Sequence, residues 1–184
     1  MTLFPDGDVH RNRVYYMGLD IAGGGSQGDS TVFTIIEDCE GIAYVVYVLE
    51  MKSSKTPEIV GIAKTLHEKF SFENIYVDYT GLGTGPVEQL QEDIGYVVVG
   101  VTFTQQSKMD MYSNVKRMME TGKLKIPKNK KLLHQLMDLR RELSGNKKIK
   151  IHHSDKGHDD YPDSLALACW HYHGVNPDYS FPIG

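Results

Sequence analysis

Residues 15–30 read YYMGLDIAGGGSQGDS, in which an apolar run leads into one carboxylate and then a cluster of glycines. A second apolar run, TVFTII at residues 31–36, follows directly. This order predicts a hairpin whose first strand carries Asp20 near its end, followed by a polar turn and a returning strand. Because a carboxylate in an apolar strand is costly to desolvate, Asp20 needs a partner. It is either a ligand of a cation such as Mg²⁺ or an acceptor of hydrogen bonds from the glycine-rich loop.

The composition predicts one globular domain in a reducing compartment. The chain has 184 residues, of which 40% are hydrophobic and 24% are charged, as in proteins that bury a core. Its two cysteines, Cys39 and Cys169, are too few for a cysteine-rich zinc module. No apolar run approaches the ~20 residues that span a bilayer, and the start of the chain lacks a signal-peptide pattern. We therefore expect a soluble, intracellular protein.

Periodicity along the chain predicts an α/β fold. The predicted strands are residues 14–22, 31–38, 43–51, 74–78 and 96–103. The predicted helices are residues 56–70, 86–93, 107–121, 131–143 and a last one that begins within residues 159–164. The first three strands follow one another as an antiparallel meander, and the next two alternate with helices, which favours a parallel arrangement with the first strand. Basic and apolar residues alternate over 147–153, which suggests a two-stranded excursion.

The domain boundaries follow from the same pattern. We expect a tail or linker remnant at residues 1–13, a folded domain at 14–174 and a C-terminal tail at 175–184.

Acidic residues recur at the ends of predicted elements. Asp20 ends the first strand, Asp78 ends the fourth, and Asp159, Asp160 and Asp163 open the last helix. Adjacent parallel strands would bring Asp20 and Asp78 to one edge of the sheet, and a spacing of three directs Asp160 and Asp163 to the same end of their helix. Such a set can hold one or two divalent cations. Packed together without metal, the carboxylates should repel, so at least one pKa should be raised.

Each acidic residue also has a purely structural interpretation. Asp160 can be the N-cap of the last helix, with Asp163 favoured in the first turn by the helix dipole. Asp78 can be the acceptor of an Asx-turn. The convergence of all of them at one edge is what favours a site.

Basic residues are concentrated in one part of the chain. The formal net charge is −4, which argues against a nucleic-acid binder. Nevertheless, ten of the twenty Lys and Arg residues lie within 123–150, where only Asp138 and Glu142 oppose them. This zone is either a footprint for a phosphate backbone or a solvated surface. The candidates for DNA binding are Lys128, Lys130, Lys131, Arg140, Arg141, Lys147, Lys148 and Lys150.

Three motifs in this order resemble the nuclease domain of the large terminase subunit of tailed bacteriophages. They are GLDIA at 18–22 with GDS at 28–30, YVDYTGLG at 76–83, and HDDYPDSLA at 158–166. The resemblance covers about residues 15–173 and implies a ribonuclease H-like fold. The expected architecture is a mixed five-stranded sheet, with a three-strand antiparallel meander and parallel strands, flanked by helices and carrying an extra β-hairpin before the last helix.

The resemblance also implies an activity and a role for each acidic residue. The family's nuclease domains cut concatemeric viral DNA during genome packaging by two-metal-ion phosphodiester hydrolysis, here with Mg²⁺ or Mn²⁺. By this resemblance Asp20 would bridge the two metals, Asp78 would bind one, and Asp163 with Asp160 beside it would bind the other. Possible outer-shell residues are Asp29, Asp159 and His158.

The partners that the resemblance implies are double-stranded DNA, an N-terminal packaging ATPase domain, the small terminase subunit and the portal, all in the host cytoplasm and none in a membrane. The string G-x-x-x-x-G-K-S/T of a phosphate-binding loop is absent from these 184 residues. We therefore expect DNA cleavage by this chain without DNA translocation.

Other functions remain open on the sequence. A Holliday-junction resolvase has a similar helix with two ligand positions three apart, but would require a dimer and four-way DNA. An actin-like or sugar-kinase nucleotide site also begins with a strand, Asp and Gly hairpin, although such chains are about twice this length. A non-catalytic ribonuclease H-like module would have lost a carboxylate, and none of the expected positions is missing.

Overall fold

The computed structural model describes residues 13–22, 30–52, 55–80, 84–143, 149–152 and 159–173. The predicted tails fall almost entirely outside this part of the chain, so the domain boundaries stay a prediction. The described strands are β1 (Val14–Asp20), β2 (Thr31–Cys39), β3 (Ile42–Met51), β4 (Asn74–Asp78), β5 (Val98–Val101), β6 (Leu124–Lys125), β7 (Arg140–Leu143) and β8 (Ile149–His152). The described helices are α1 (Thr56–Phe70), α2 (Thr84–Ile94), α3 (Gln105–Glu120), α4 (Lys130–Asp138) and α5 (Asp160–Ala168), followed by a 3₁₀ turn at Trp170–Tyr172.

A mixed six-stranded sheet organises the fold, in the order β5-β4-β1-β2-β3-β6. The predicted meander is confirmed, since β2 is antiparallel to both β1 and β3. The predicted parallel strands are confirmed as well, since β4 is parallel to β1 and to β5. The ribonuclease H-like α/β class predicted from the sequence therefore describes this molecule.

The sheet has one strand more than the sequence predicted. β6 contains two residues and lies parallel to β3, with Leu124 opposite Ala43. Two residues are too few to produce a periodic pattern, and only the partner strand makes this segment a strand.

The segment after α4 also differs from the prediction. A helix was expected over 131–143, but α4 ends at Asp138 and Leu139 adopts extended backbone angles. Arg140 to Leu143 then pairs with Ile149 to His152, so the predicted excursion is a hairpin that begins earlier than expected. The apolar spacing was misleading because Met137 is 80% exposed and does not face a core.

Each face of the sheet carries its own apolar core. Tyr15, Met17 and Leu19 alternate along β1 toward α1 and α2, with Phe33, Ile35 and Ile75 beside them. The opposite face packs against α3, α4 and α5, through residues such as Tyr16, Tyr76, Val115 and Leu165. None of the helices in the described ranges has the length and apolar character needed to cross a bilayer.

Candidate active site

The strand register brings Asp20 and Asp78 together at one edge of the sheet. In the parallel ladder Gly18 lies opposite Tyr76 and Leu19 opposite Val77, so Asp20 and Asp78 are the next residues of the two strands. Tyr16 and Tyr76 share the core on the α5 face. Because side chains alternate along a strand, Asp20 and Asp78 project to that same face.

Helix α5 approaches this edge because Gly18 has no side chain. A Cβ atom at Gly18 would overlap the Ser164 carbonyl oxygen and the Ala168 backbone. A hydrogen bond of 2.7 Å between the hydroxyls of Thr34 and Ser164 joins the helix to β2. The close packing holds the acidic first turn of α5 beside the ends of β1 and β4.

Asp163 is the most buried carboxylate of this turn. Its side chain is 6% exposed, and Tyr112 of α3 donates a hydrogen bond to its Oδ1. The Lys108 ammonium lies 2.7 Å from its Oδ2. Burial raises the pKa of Asp163 to about 7, although the charge of Lys108 acts in the opposite direction.

Asp159 and Asp160 have different partners. Asp159 occupies the N-cap position of α5, but its side chain makes no capping hydrogen bond and instead accepts one from Lys108 at 2.8 Å. Asp160 lies within the helix, and its Oδ2 accepts a hydrogen bond of 3.2 Å from the Ser30 backbone amide. Asp160 is therefore not the N-cap, so that structural alternative is excluded.

The pKa of Asp20 is shifted by every other carboxylate proposed as a metal ligand. Burial raises its pKa well above the ordinary value, and the charges of Asp163, Asp78 and Asp160 raise it further. The charge of Lys108 lowers it in part. The expectation that at least one pKa is raised is confirmed, and burial is the largest single cause.

Asp78 combines an Asx-type contact with an unused oxygen atom. Hydrogen bonds from Thr80 lower its pKa, but burial outweighs them and raises the pKa above its usual value. Its Oδ1 atom is buried and has no hydrogen-bond partner among the residues that the structure describes. An orphaned buried acceptor is costly, so this oxygen is available for a ligand.

The remaining predicted outer-shell residues, Asp29 and His158, fall outside the described residues. As the described side chains stand, no group of three or more carboxylate, histidine or cysteine residues is arranged to hold a metal ion. The carboxylates converge, but Lys108 lies between two of them.

The predicted DNA-binding residues divide into three groups. Lys128 and Lys130 are exposed beside the start of α4. Lys131 instead forms an ion pair with Glu50, and its ammonium lies 5.2 Å from the centre of the Tyr161 ring. The others are Arg140 and Arg141 in β7, Lys150 in β8, and Lys147 and Lys148 outside the described residues.

Two charged site residues were not predicted from the sequence. Lys108 lies in a mostly polar helical segment and gives no signal by itself. Glu50 accepts hydrogen bonds from the hydroxyls of Ser30 at 2.6 Å and Tyr161 at 3.0 Å. These bonds join β3 to the residue whose amide binds Asp160 and to the residue that follows Asp160 in the chain. A carboxylate in the apolar strand β3 was a signal of the same kind as Asp20.

Comparisons with known proteins agree with this arrangement. Residues 17–171 match the family model described as the terminase RNaseH-like domain. The large terminase subunit of Thermus virus P23-45 is 29% identical over 179 residues, which are 96% of this chain and 35% of that protein. The chain thus spans about a third of the length of this curated relative.

Solved structures of large terminase nucleases share the fold. The nuclease of the thermophilic phage G20c with bound magnesium is 24% identical with a TM-score of 0.75, over 88% of this chain and 82% of that one. The same nuclease with bound cobalt is 26% identical with a TM-score of 0.74, over 88% and 82% of the two chains. With the carboxylates of β1, β4 and α5 converging on one sheet edge, the chain belongs to the family of terminase ribonuclease H-like domains.

Proposed function

We propose that this chain is a divalent-metal-dependent endodeoxyribonuclease domain that cleaves concatemeric viral DNA during genome packaging. The observation that carries the proposal is the buried Asp78 Oδ1 atom, which has no partner in the described part of the chain, at the edge where Asp20 and Asp163 converge. A hard cation is the ligand that suits a buried carboxylate oxygen with anionic neighbours.

The donor set fits Mg²⁺ or Mn²⁺. Asp20, Asp78 and Asp163, with Asp160 beside them, would hold two such ions, and these ions prefer carboxylate oxygens. The large terminase nuclease of phage G20c has been solved with bound magnesium and with bound cobalt, which supports a divalent cation here. When bound, the ions would supply an activated water nucleophile and stabilise charge on the leaving 3′ oxygen.

The chain's own residues orient these ligands. Tyr112 fixes one oxygen of Asp163, and the Ser30 amide fixes one oxygen of Asp160. Thr80 holds Asp78 so that its other oxygen stays available. Such supporting hydrogen bonds reduce the freedom of each carboxylate and hold it ready for the ion.

Double-stranded DNA is the proposed substrate. Gln135 of α4 accepts a hydrogen bond of 3.0 Å from the Tyr161 amide, so α4 lies beside the acidic turn of α5. Lys128 and Lys130 near its start would contact phosphates next to the site, which gives affinity without sequence choice. A packaging ATPase domain, the small terminase subunit and the portal are the proposed partners, in the host cytoplasm.

Plasmid cleavage tests the proposal. Supercoiled plasmid should be nicked and linearised with Mg²⁺ or Mn²⁺ and should stay intact with EDTA. Asp78→Asn should lower the rate by at least about 100-fold, since a bound metal contributes several kcal/mol to such a reaction. Asp93→Asn, on the exposed surface of α2, is the matched control and should cleave normally. Cleavage by Asp78→Asn at the wild-type rate would contradict the ligand assignment.

A further inference from the structure

Lys108 lies between Asp163, a proposed metal ligand, and Asp159, a candidate outer-shell residue. Its ammonium lies 2.7 Å from Asp163 Oδ2 and 2.8 Å from Asp159 Oδ2. Its charge also acts on Asp20 and Asp78. The ammonium thus compensates a cluster of buried negative charges from a position beside one proposed ligand.

A divalent cation on Asp163 Oδ2 would lie directly beside this ammonium. A cation that coordinates a carboxylate oxygen approaches within ~2.0–2.6 Å, and the ammonium already occupies one of the lone-pair directions of that oxygen. Two positive groups so close together would also repel strongly, because the site is poorly solvated.

The Lys108 side chain has a route out of the cluster. It is 26% exposed, and a lysine stem has four rotatable methylene groups. The Phe103 ring lies 5.5 Å from the ammonium and adds a cation–π contact to its present position, which leaving the cluster would weaken.

We propose that the Lys108 ammonium is the built-in counter-ion of the metal-free site, and that a divalent cation must displace it from Asp163 in order to bind. This inference rests on the proposed function. Lys108 then has two opposite effects. It stabilises the metal-free fold, and it weakens the affinity of the site for metal.

Calorimetric titration with Mn²⁺ measures the second effect. Lys108→Met keeps a stem of similar shape without the charge, and it should lower the Mn²⁺ dissociation constant by about tenfold or more. Lys116→Met is the control, because Lys116 lies two turns further along α3, is exposed, and pairs only with Glu120 among the described contacts. Equal Mn²⁺ affinity for Lys108→Met and the wild type would overturn the counter-ion proposal while leaving the nuclease proposal intact.

Labelling of the wild-type protein gives a test that needs no variant to fold. Reductive methylation followed by mass spectrometry should find Lys108 protected in EDTA and modified several-fold faster with saturating Mn²⁺. Lys116 should react equally in both conditions. Equal protection of Lys108 in the presence of bound Mn²⁺ would show that it is not displaced and would overturn the proposal. If the wild-type protein binds no Mn²⁺ at all, the proposed metal-dependent function fails, and this inference fails with it.

Discussion

At the scale of single residues, the buried carboxyl of Asp163 lowers the stability of the metal-free fold when it ionises. Its carboxyl is buried, and burial raises its pKa to about 7 although Lys108 and Tyr112 both favour the charged form. A carboxylate whose pKa is higher in the folded than in the unfolded state binds more protons when folded. The metal-free protein therefore loses stability when this group has to ionise inside the structure.

The pH dependence of metal-free stability follows from this shift. The unfolded pKa is near 3.8 and the folded pKa near 7, so the free energy of unfolding should fall as pH rises between these values. We expect the midpoint of thermal unfolding in EDTA to be lower at pH 8 than at pH 5.5, with a slope of up to about 1.4 kcal/mol per pH unit.

Asp163→Asn removes this contribution, together with the part of the Asp20 pKa shift that the Asp163 charge causes. His67 acts in the opposite direction, because burial lowers its pKa and its stability contribution is lost as pH falls. The variant retains His67 but has no titrating group at position 163. Between pH 5.5 and 8 its free energy of unfolding in EDTA should therefore decline less than that of the wild type. An identical decline in both proteins would rule out Asp163 as the source.

The acidic residues could be predicted individually, whereas Lys108, the lysine that neutralises them, could not. Asp20 and Asp78 stand out because each ends an apolar strand, and the α5 acids stand out by their spacing. Lys108 is one of several polar residues on α3, and its neighbours Asp159 and Asp163 are more than fifty positions away in sequence. Such a pairing depends on how α3 packs against α5, which no local pattern encodes.

At the scale of elements, the contact between β1 and α5 places the site. The helix carries the acidic turn, and the strand carries Asp20, so a change in their separation moves the carboxylates apart. Gly18 sets that separation, because its missing side chain allows the backbone of α5 to lie against the strand.

Gly18→Ala should disrupt this contact. The added methyl group would meet the Ser164 carbonyl oxygen and the Ala168 backbone, which cannot rotate away as a side chain would. We expect a loss of at least about 2 kcal/mol in the free energy of unfolding, measured by urea denaturation. Gly61→Ala in α1 is the control, since nothing lies within 4 Å of the added atom and alanine favours helix by ~1 kcal/mol. A stable Gly18→Ala protein would mean that α5 can shift without cost.

Elements with strong local patterns were predicted well. The spacing of Ile59, Ala63 and Leu66 together with Pro57 predicted α1 close to its observed bounds, with the N-cap at Lys55 rather than Thr56. The predicted end of α4 was wrong because the backbone groups of residues 140–143 pair with strand β8 instead of continuing the helix. In that segment a distant strand, which apolar spacing does not reveal, decides the structure.

At the scale of the whole molecule, charge and topology place the basic residues on the side of the acidic site. Helices α3, α4 and α5 cover the sheet face to which the carboxylates project, while α1 and α2 cover the other face. A protein of net charge −4 repels DNA as a whole, so productive binding needs a local cationic surface. Lys128 and Lys130 provide one beside α5, and Lys64 and Lys69 lie on α1 behind the sheet.

The salt dependence of DNA binding distinguishes these two faces. We expect Lys128→Gln combined with Lys130→Gln to weaken binding of a short duplex, measured by fluorescence anisotropy in Ca²⁺ to prevent cleavage. If both lysines neutralise phosphates, the slope of log K against log salt concentration should become shallower by about 2. The pair Lys64→Gln and Lys69→Gln removes the same charge from the opposite face and should leave that slope unchanged. Equal effects of the two pairs would mean that only net charge matters, and that α4 does not guide DNA to the carboxylates.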